Sequence, residues 1–87
     1  MYGLHKLLWE LRRDPDLAAR FRADPAAVTS GYDLTGPERD AMINRDFRFL
    51  FGQGVNPYLL YFCALQIGVS RDAYYAQLRG EPAPQGG

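Results

Sequence analysis

Eighty-seven residues, 47% hydrophobic and 23% charged, suit one small domain with a single core and argue against a fibrous or wholly disordered chain. Ten basic side chains balance ten acidic ones, so no overall field exists to hold a phosphate backbone, and no nucleic-acid partner is expected. Cys63 is the only cysteine, which excludes an internal disulfide and paired zinc spacings and fits a cytoplasmic setting.

The amino-terminal "MYGLHKLLWELRRD" mixes charge into its apolar pattern and has no small-residue cleavage site, so it does not read as a secretory signal. Within it Leu4, Leu7, Leu8 and Leu11 recur at i, i+3, i+4 and i+7, which predicts an amphipathic helix over residues 3–13. Asp14-Pro15 and Asp24-Pro25 each start a further helix, because Asp can accept from free amides at an N-cap and proline loses no needed donor at the first helical position. The second helix turns Leu17 and Phe21 inward, and the third is short and ends near Gly31. Arg12, Arg13, Arg20 and Arg22 cluster in this stretch, but Glu10, Asp14, Asp16 and Asp24 are interleaved, so it reads as a solvated helical surface rather than a binding patch.

"TGPE" at residues 35–38 has capping-box spacing and predicts a longer fourth helix. Ile43, Phe47, Leu50 and Phe51 continue its stripe until Gly52 and Gly54. Asn56-Pro57 then opens a helix apolar on nearly every side that stops at Gly68, too short for a membrane crossing, which needs about 20 residues. It is therefore expected to be central, over about residues 57–67, with Tyr61, Ala64, Leu65 and Ile67 packed inside. Ser70 caps a last helix with Tyr74, Tyr75 and Leu78 on its apolar side. The expected architecture is all-α: a single domain of five or six short helices over residues 2–80, followed by a disordered tail over 81–87 with no apolar payload.

Chemistry is sparse. His5 is the only histidine, so neither an oxygen-activating metal centre nor a hydrolytic triad can be assembled, and no catalytic or metal-ligating residue is assigned. Cys63 sits among apolar neighbours that disfavour a thiolate. The glycines of "FGQGVNP" match neither a dinucleotide fingerprint nor a phosphate loop, and read as a helix-to-helix turn. Six tyrosines, five phenylalanines and one tryptophan are many for so small a core; core packing could use most of them, or some could contact another chain or a flat ligand.

Taken together, "LLWELRRDPDLAARFRADPAA", "YDLTGPERDAMINRDF" and "GQGVNPYLLYFCALQIGVS" resemble the small alpha (LigA-type) subunit of protocatechuate 4,5-dioxygenase and related class III extradiol dioxygenases. The resemblance runs from about Tyr2 to Gly80, and its carriers are Phe21 with Asp24, the Leu34-Thr35 helix start, Arg45-Asp46 with Phe47, and Gly54 with Asn56 and Tyr58. It implies a non-catalytic accessory subunit that packs on a larger beta subunit, where Fe(II) and the catalytic histidines reside, and helps close that active site over a catechol-type substrate. The chain departs from the archetype in a shorter amino terminus and in passing directly from "ALQIG" to "VSRDAYYAQL", where the archetype has a longer loop reaching the substrate pocket. Arg45, Asp46, Asn56 and Tyr58 lie near the junction of the fourth and fifth predicted helices and are the candidates for a partner or substrate-pocket interface. The alternative is a helical interaction module without dioxygenase function, including a self-associating one. Neither reading calls for a cofactor in this chain or for a membrane.

Overall fold

The computed structural model describes residues 2–80, which form α1 (Tyr2–Arg13), α2 (Pro15–Ala23), α3 (Pro25–Thr29), α4 (Gly36–Asn44), α5 (Phe47–Gly52), α6 (Pro57–Gln66) and α7 (Arg71–Leu78). The all-α expectation holds, with no strand among the described residues; the tail expected over 81–87 lies outside them. No helix among the described residues is long and apolar enough to cross a membrane.

The local signals act as their chemistry requires. Asp14 Oδ1 accepts from the amides of Asp16 and Leu17 at 3.0 and 3.2 Å, and Asp24 Oδ1 accepts from Ala27 at 3.2 Å, so each Asp-Pro pair opens its helix. The capping box forms in both directions: the Glu38 amide donates to Thr35 Oγ1 at 3.2 Å, and the Thr35 amide donates to Glu38 Oε1 at 2.9 Å. The leucine stripe of α1 is fully buried against α6 and α2, and Phe21, Met42, Phe47, Leu50, Leu60 and Tyr74 complete the core.

The long fourth helix expected from residue 35 to residue 52 is instead two helices, which raises the count to seven. Arg45 adopts φ 55° and ψ 45°, and the amides of Arg45 and Asp46 bond to the carbonyls of Met42 and Ala41 at 3.3 and 2.8 Å. These are the paired bonds of a Schellman ending, with arginine where glycine is usual. Gly68, at φ +90°, closes α6 with the same pair of bonds, to Leu65 and Ala64. The Arg45 guanidinium lies 5.7 Å from the Phe21 ring centre, a cation–π contact that helps offset the left-handed strain. Asp46 then caps α5 through Phe49, and the Phe47 amide donates to Gln77 Oε1 on α7 at 2.9 Å. The break turns Phe47 and Leu50 into the core, where Phe47 meets Tyr74 at 5.6 Å.

α6 packs against α1, α5 and α7, but these neighbours do not surround it. Leu60, Cys63, Ala64 and Ile67 form one i, i+3, i+4, i+7 stripe, and all are buried. Tyr58, Phe62 and Leu65 form a second stripe at i, i+4 and i+7 on the other side, and it faces outward. The expectation that Leu65 packs inside is thereby corrected: it is 40% exposed, and Tyr61 is only half-buried, whereas Ala64 and Ile67 are inside. Apolar composition alone made every side of α6 eligible for burial, and the available neighbours cover only part of its circumference.

Candidate functional site

Tyr58 and Phe62 of the outward stripe line a groove of about 280 Å³, and Leu65 lies outside it. Phe51 comes from α5, Pro57, Tyr58, Tyr61 and Phe62 from α6, and Tyr74, Tyr75 and Leu78 from α7. The rings contact one another in series. Tyr61 stacks on Tyr75 at 5.9 Å and meets Tyr74 and Phe62 edge-on at 5.4 Å each, so ring orientations are set by neighbours before anything binds. Burial pushes the Tyr74 hydroxyl up to about 12, which keeps it a neutral donor.

Cations edge this aromatic face. The Arg12 guanidinium lies 5.4 Å from the Trp9 ring and 5.2 Å from the Phe62 ring, carrying the surface from α6 onto α1. Arg71 sits 5.8 Å from the Tyr75 ring. Exposed Trp, Tyr and Arg side chains in one patch are the composition in which interface energy concentrates.

A second concavity of about 540 Å³ lies between α2 and α3, lined by Leu17, Arg20, Val28 and Tyr32 among others. The Tyr32 hydroxyl donates to the Glu10 carboxylate, and the tyrosine is pushed up to about 12 by burial first and by that hydrogen bond second. Tyr32 thereby braces α1 against the turn after α3.

The four residues singled out from sequence have different positions. Asp46 Oδ1 caps α5, and Asn56 Oδ1 caps α6 by accepting from Tyr58 and Leu59 at 2.9 and 3.2 Å. Arg45 turns toward Phe21 on α2. Tyr58 alone opens on the groove, with its side chain 77% exposed. Sequence reasoning missed Phe51, Phe62, Tyr75, Trp9 and Arg12; the available signal was the second i, i+4, i+7 stripe on α6, concealed because the first is equally apolar. Within the arginine cluster, Arg22 donates to the Gln66 carbonyl at 2.5 Å and Gln66 Nε2 donates to the Arg12 carbonyl at 3.2 Å, so part of that surface ties the ends of α1 and α6 together.

No group of three or more His, Cys, Asp and Glu side chains that could hold a metal ion occurs among the described residues. Cys63 is buried and pushed up to about 12 by that burial, which keeps it a thiol.

A family model described as the LigA subunit of the aromatic-ring-opening dioxygenase LigAB matches residues 4–85. The chain belongs to the LigA family. No curated protein and no solved structure matches it. Most residues that carry the LigA resemblance serve the fold: Phe21 is core, Asp24, Thr35, Asp46 and Asn56 are N-caps, and Arg45 and Gly54 hold left-handed turns. The exposed ring of Tyr58 is the carrier for which the LigA fold itself supplies no use.

Proposed function

We propose that this LigA-family chain is a non-catalytic accessory subunit that docks on a larger catalytic subunit of an aromatic-ring-opening dioxygenase through the outward face of α6 and its neighbours. The observation that carries the reading is the patch built from Tyr58, Phe62, Tyr75, Trp9 and Arg12, exposed in the isolated chain although it has interface composition. Tyr58 and Phe62 act as anchors in the partner, while Arg45, Asp46 and Asn56 fix the corners that present them. Iron and the histidines that bind it belong to the partner, because the donors of this chain, one histidine and one buried thiol among them, do not make an iron site. Assembly takes place in the cytoplasm, in keeping with a single unpaired cysteine.

Co-expression with the cognate ring-opening subunit tests this. The pair should co-purify, and the catalytic subunit should lose activity or stability when expressed alone. Tyr58→Ala with Phe62→Ala should weaken pairing by about tenfold or more, since interface aromatics typically cost over 1 kcal/mol when truncated. The isolated chain should stay folded, with a modestly lowered circular-dichroism melt because Phe62 also packs on Tyr61 and Arg12. Pairing unaffected by both substitutions would refute the docking face, and a homodimer abolished by them would favour a self-associating module.

A further inference from the structure

The size of the aromatic groove and the charges at one end of it narrow the chemistry of what fits. Its α6 residues run from Pro57 to Phe62, about 7.5 Å at 1.5 Å per residue, so a volume of about 280 Å³ leaves a trough about 7 Å across. A helix with its side chains measures about 10–12 Å and does not enter it, whereas a single extended chain does. Pairing with a β-strand needs a sheet edge, and no strand occurs among the described residues. The ring centres of Tyr61 and Tyr75 stand 5.9 Å apart and those of Tyr74 and Tyr75 5.4 Å apart. Alternate residues of a polyproline II chain are about 6 Å apart at about 3.1 Å per residue, so two prolines separated by one residue match adjacent rings. Proline also brings a fixed φ and loses little entropy on docking. The backbone carbonyls of such a chain are free, and the hydroxyls of Tyr58, Tyr61 and Tyr75, which meet no acceptor among the described residues, are donors for them.

Charge gives the trough a direction. The Arg12 guanidinium lies 5.2 Å from the Phe62 ring, and the Arg12 carbonyl accepts from Gln66 at the last turn of α6. Arg71 is the first residue of α7 and lies 5.8 Å from the Tyr75 ring. Both cations therefore stand toward the end where α6 passes into α7, away from Pro57 and Leu78 at the other end. Neither forms an ion pair among the described residues, even though Asp72 follows Arg71 directly. We propose that the groove binds a proline-rich protein segment, with prolines on the Tyr61 and Tyr75 faces and acidic side chains at the Arg12 and Arg71 end. On the docking reading above, that segment belongs to the catalytic subunit.

Two blocked synthetic peptides test this by NMR titration of the full chain: alternating proline and alanine ending in a pair of glutamates, and the same peptide ending in a pair of lysines. The acidic peptide should shift the ring signals of Tyr58, Tyr61 and Tyr75 and the Nε signals of Arg12 and Arg71 saturably. The basic peptide should bind about threefold or more weakly, the effect of two exposed charge pairs, and Arg12→Gln with Arg71→Gln should abolish the difference. Absence of saturable tyrosine shifts, or equal affinity for the two peptides, overturns the proposal. Competition separates its failure from that of the docking reading. The acidic peptide should displace the catalytic subunit. A subunit that pairs through Tyr58 and Phe62 but is not displaced by saturating peptide keeps the docking face and overturns the proline-rich segment. A chain that binds the acidic peptide with the expected preference yet pairs with no catalytic subunit refutes the docking reading and supports the specificity of the groove.

Discussion

Gly3 is where one methyl group should do most harm. It lies buried in the first turn of α1 against the backbone of Asp33, between α3 and α4. A Cβ there would stand 2.0 Å from the Asp33 carbonyl oxygen and 2.7 Å from its carbon. The two backbones must part by about 1 Å merely to take the first distance from 2.0 to 3.0 Å, which is still tighter than most real Cβ contacts. Because the obstacle is main chain, no rotamer change relieves it, and the start of α1 must lift at the cost of packing around Leu4 and Leu34. Overpacking of this kind costs about 1–3 kcal/mol. The intrinsic preference of a helix for alanine over glycine returns at most about 0.5–1 kcal/mol. Gly3→Ala should therefore lose about 0.5–2 kcal/mol net, or roughly 4–8 °C in melting temperature per kcal/mol for a domain this small. Urea unfolding followed by far-ultraviolet circular dichroism measures it. Gly36→Ala is the control: it adds the same methyl in a first helical turn with nothing within 4 Å, and should be neutral or slightly stabilising. If Gly3→Ala matched or exceeded the parent in stability, the close approach of α1 to Asp33 would be wrong.

Leu60 and Leu65 lie five residues apart on α6, the first fully buried and the second 40% exposed, so Leu60→Ala should cost about 2–5 kcal/mol and Leu65→Ala under half of that. Equal losses in urea unfolding would mean that α6 is enclosed on both sides. Asn56→Ala removes the cap of α6 and should cost about 1 kcal/mol in the isolated chain; a melt identical to the parent would show that the cap contributes nothing. Alkaline pH should destabilise the fold. Cys63, Tyr32 and Tyr74 are all raised to about 12, so the unfolded chain releases their protons first. Stability should be complete below about pH 8.5 and fall from there toward pH 12, thiol first and tyrosines from about pH 10, with a slope of up to about 1.4 kcal/mol per pH unit for each group. Unfolding free energies at pH 8 and pH 10.5 decide it, and a flat profile would show these groups to be open to water.

The elements legible in the amino acids were those that a few neighbouring residues settle. An Asp-Pro start, a capping box or an i, i+3, i+4, i+7 leucine stripe needs only the chain within a turn or two, so α1, the helix starts other than that of α5 and the all-α class were readable. The likeness to the LigA family was readable as well. The break at Arg45 was not, because Ile43 and Phe47 keep helical spacing across it; the interactions that favour the corner, Arg45 over Phe21, the Phe47 amide on Gln77 and the Phe47 ring on Tyr74, come from α2 and α7. The ties from Arg22 to Gln66 and from Gln66 to Arg12 span 44 and 54 residues, beyond any local pattern. The candidate site depended most on the tertiary structure. Two apolar stripes on α6 are equivalent in hydrophobicity, and only the placement of α1, α5 and α7 decides that Leu60 and Cys63 are covered while Tyr58 and Phe62 face outward. Burial is a property of what stands opposite a side chain, and for a helix apolar all round the side chain itself cannot say which face that will be.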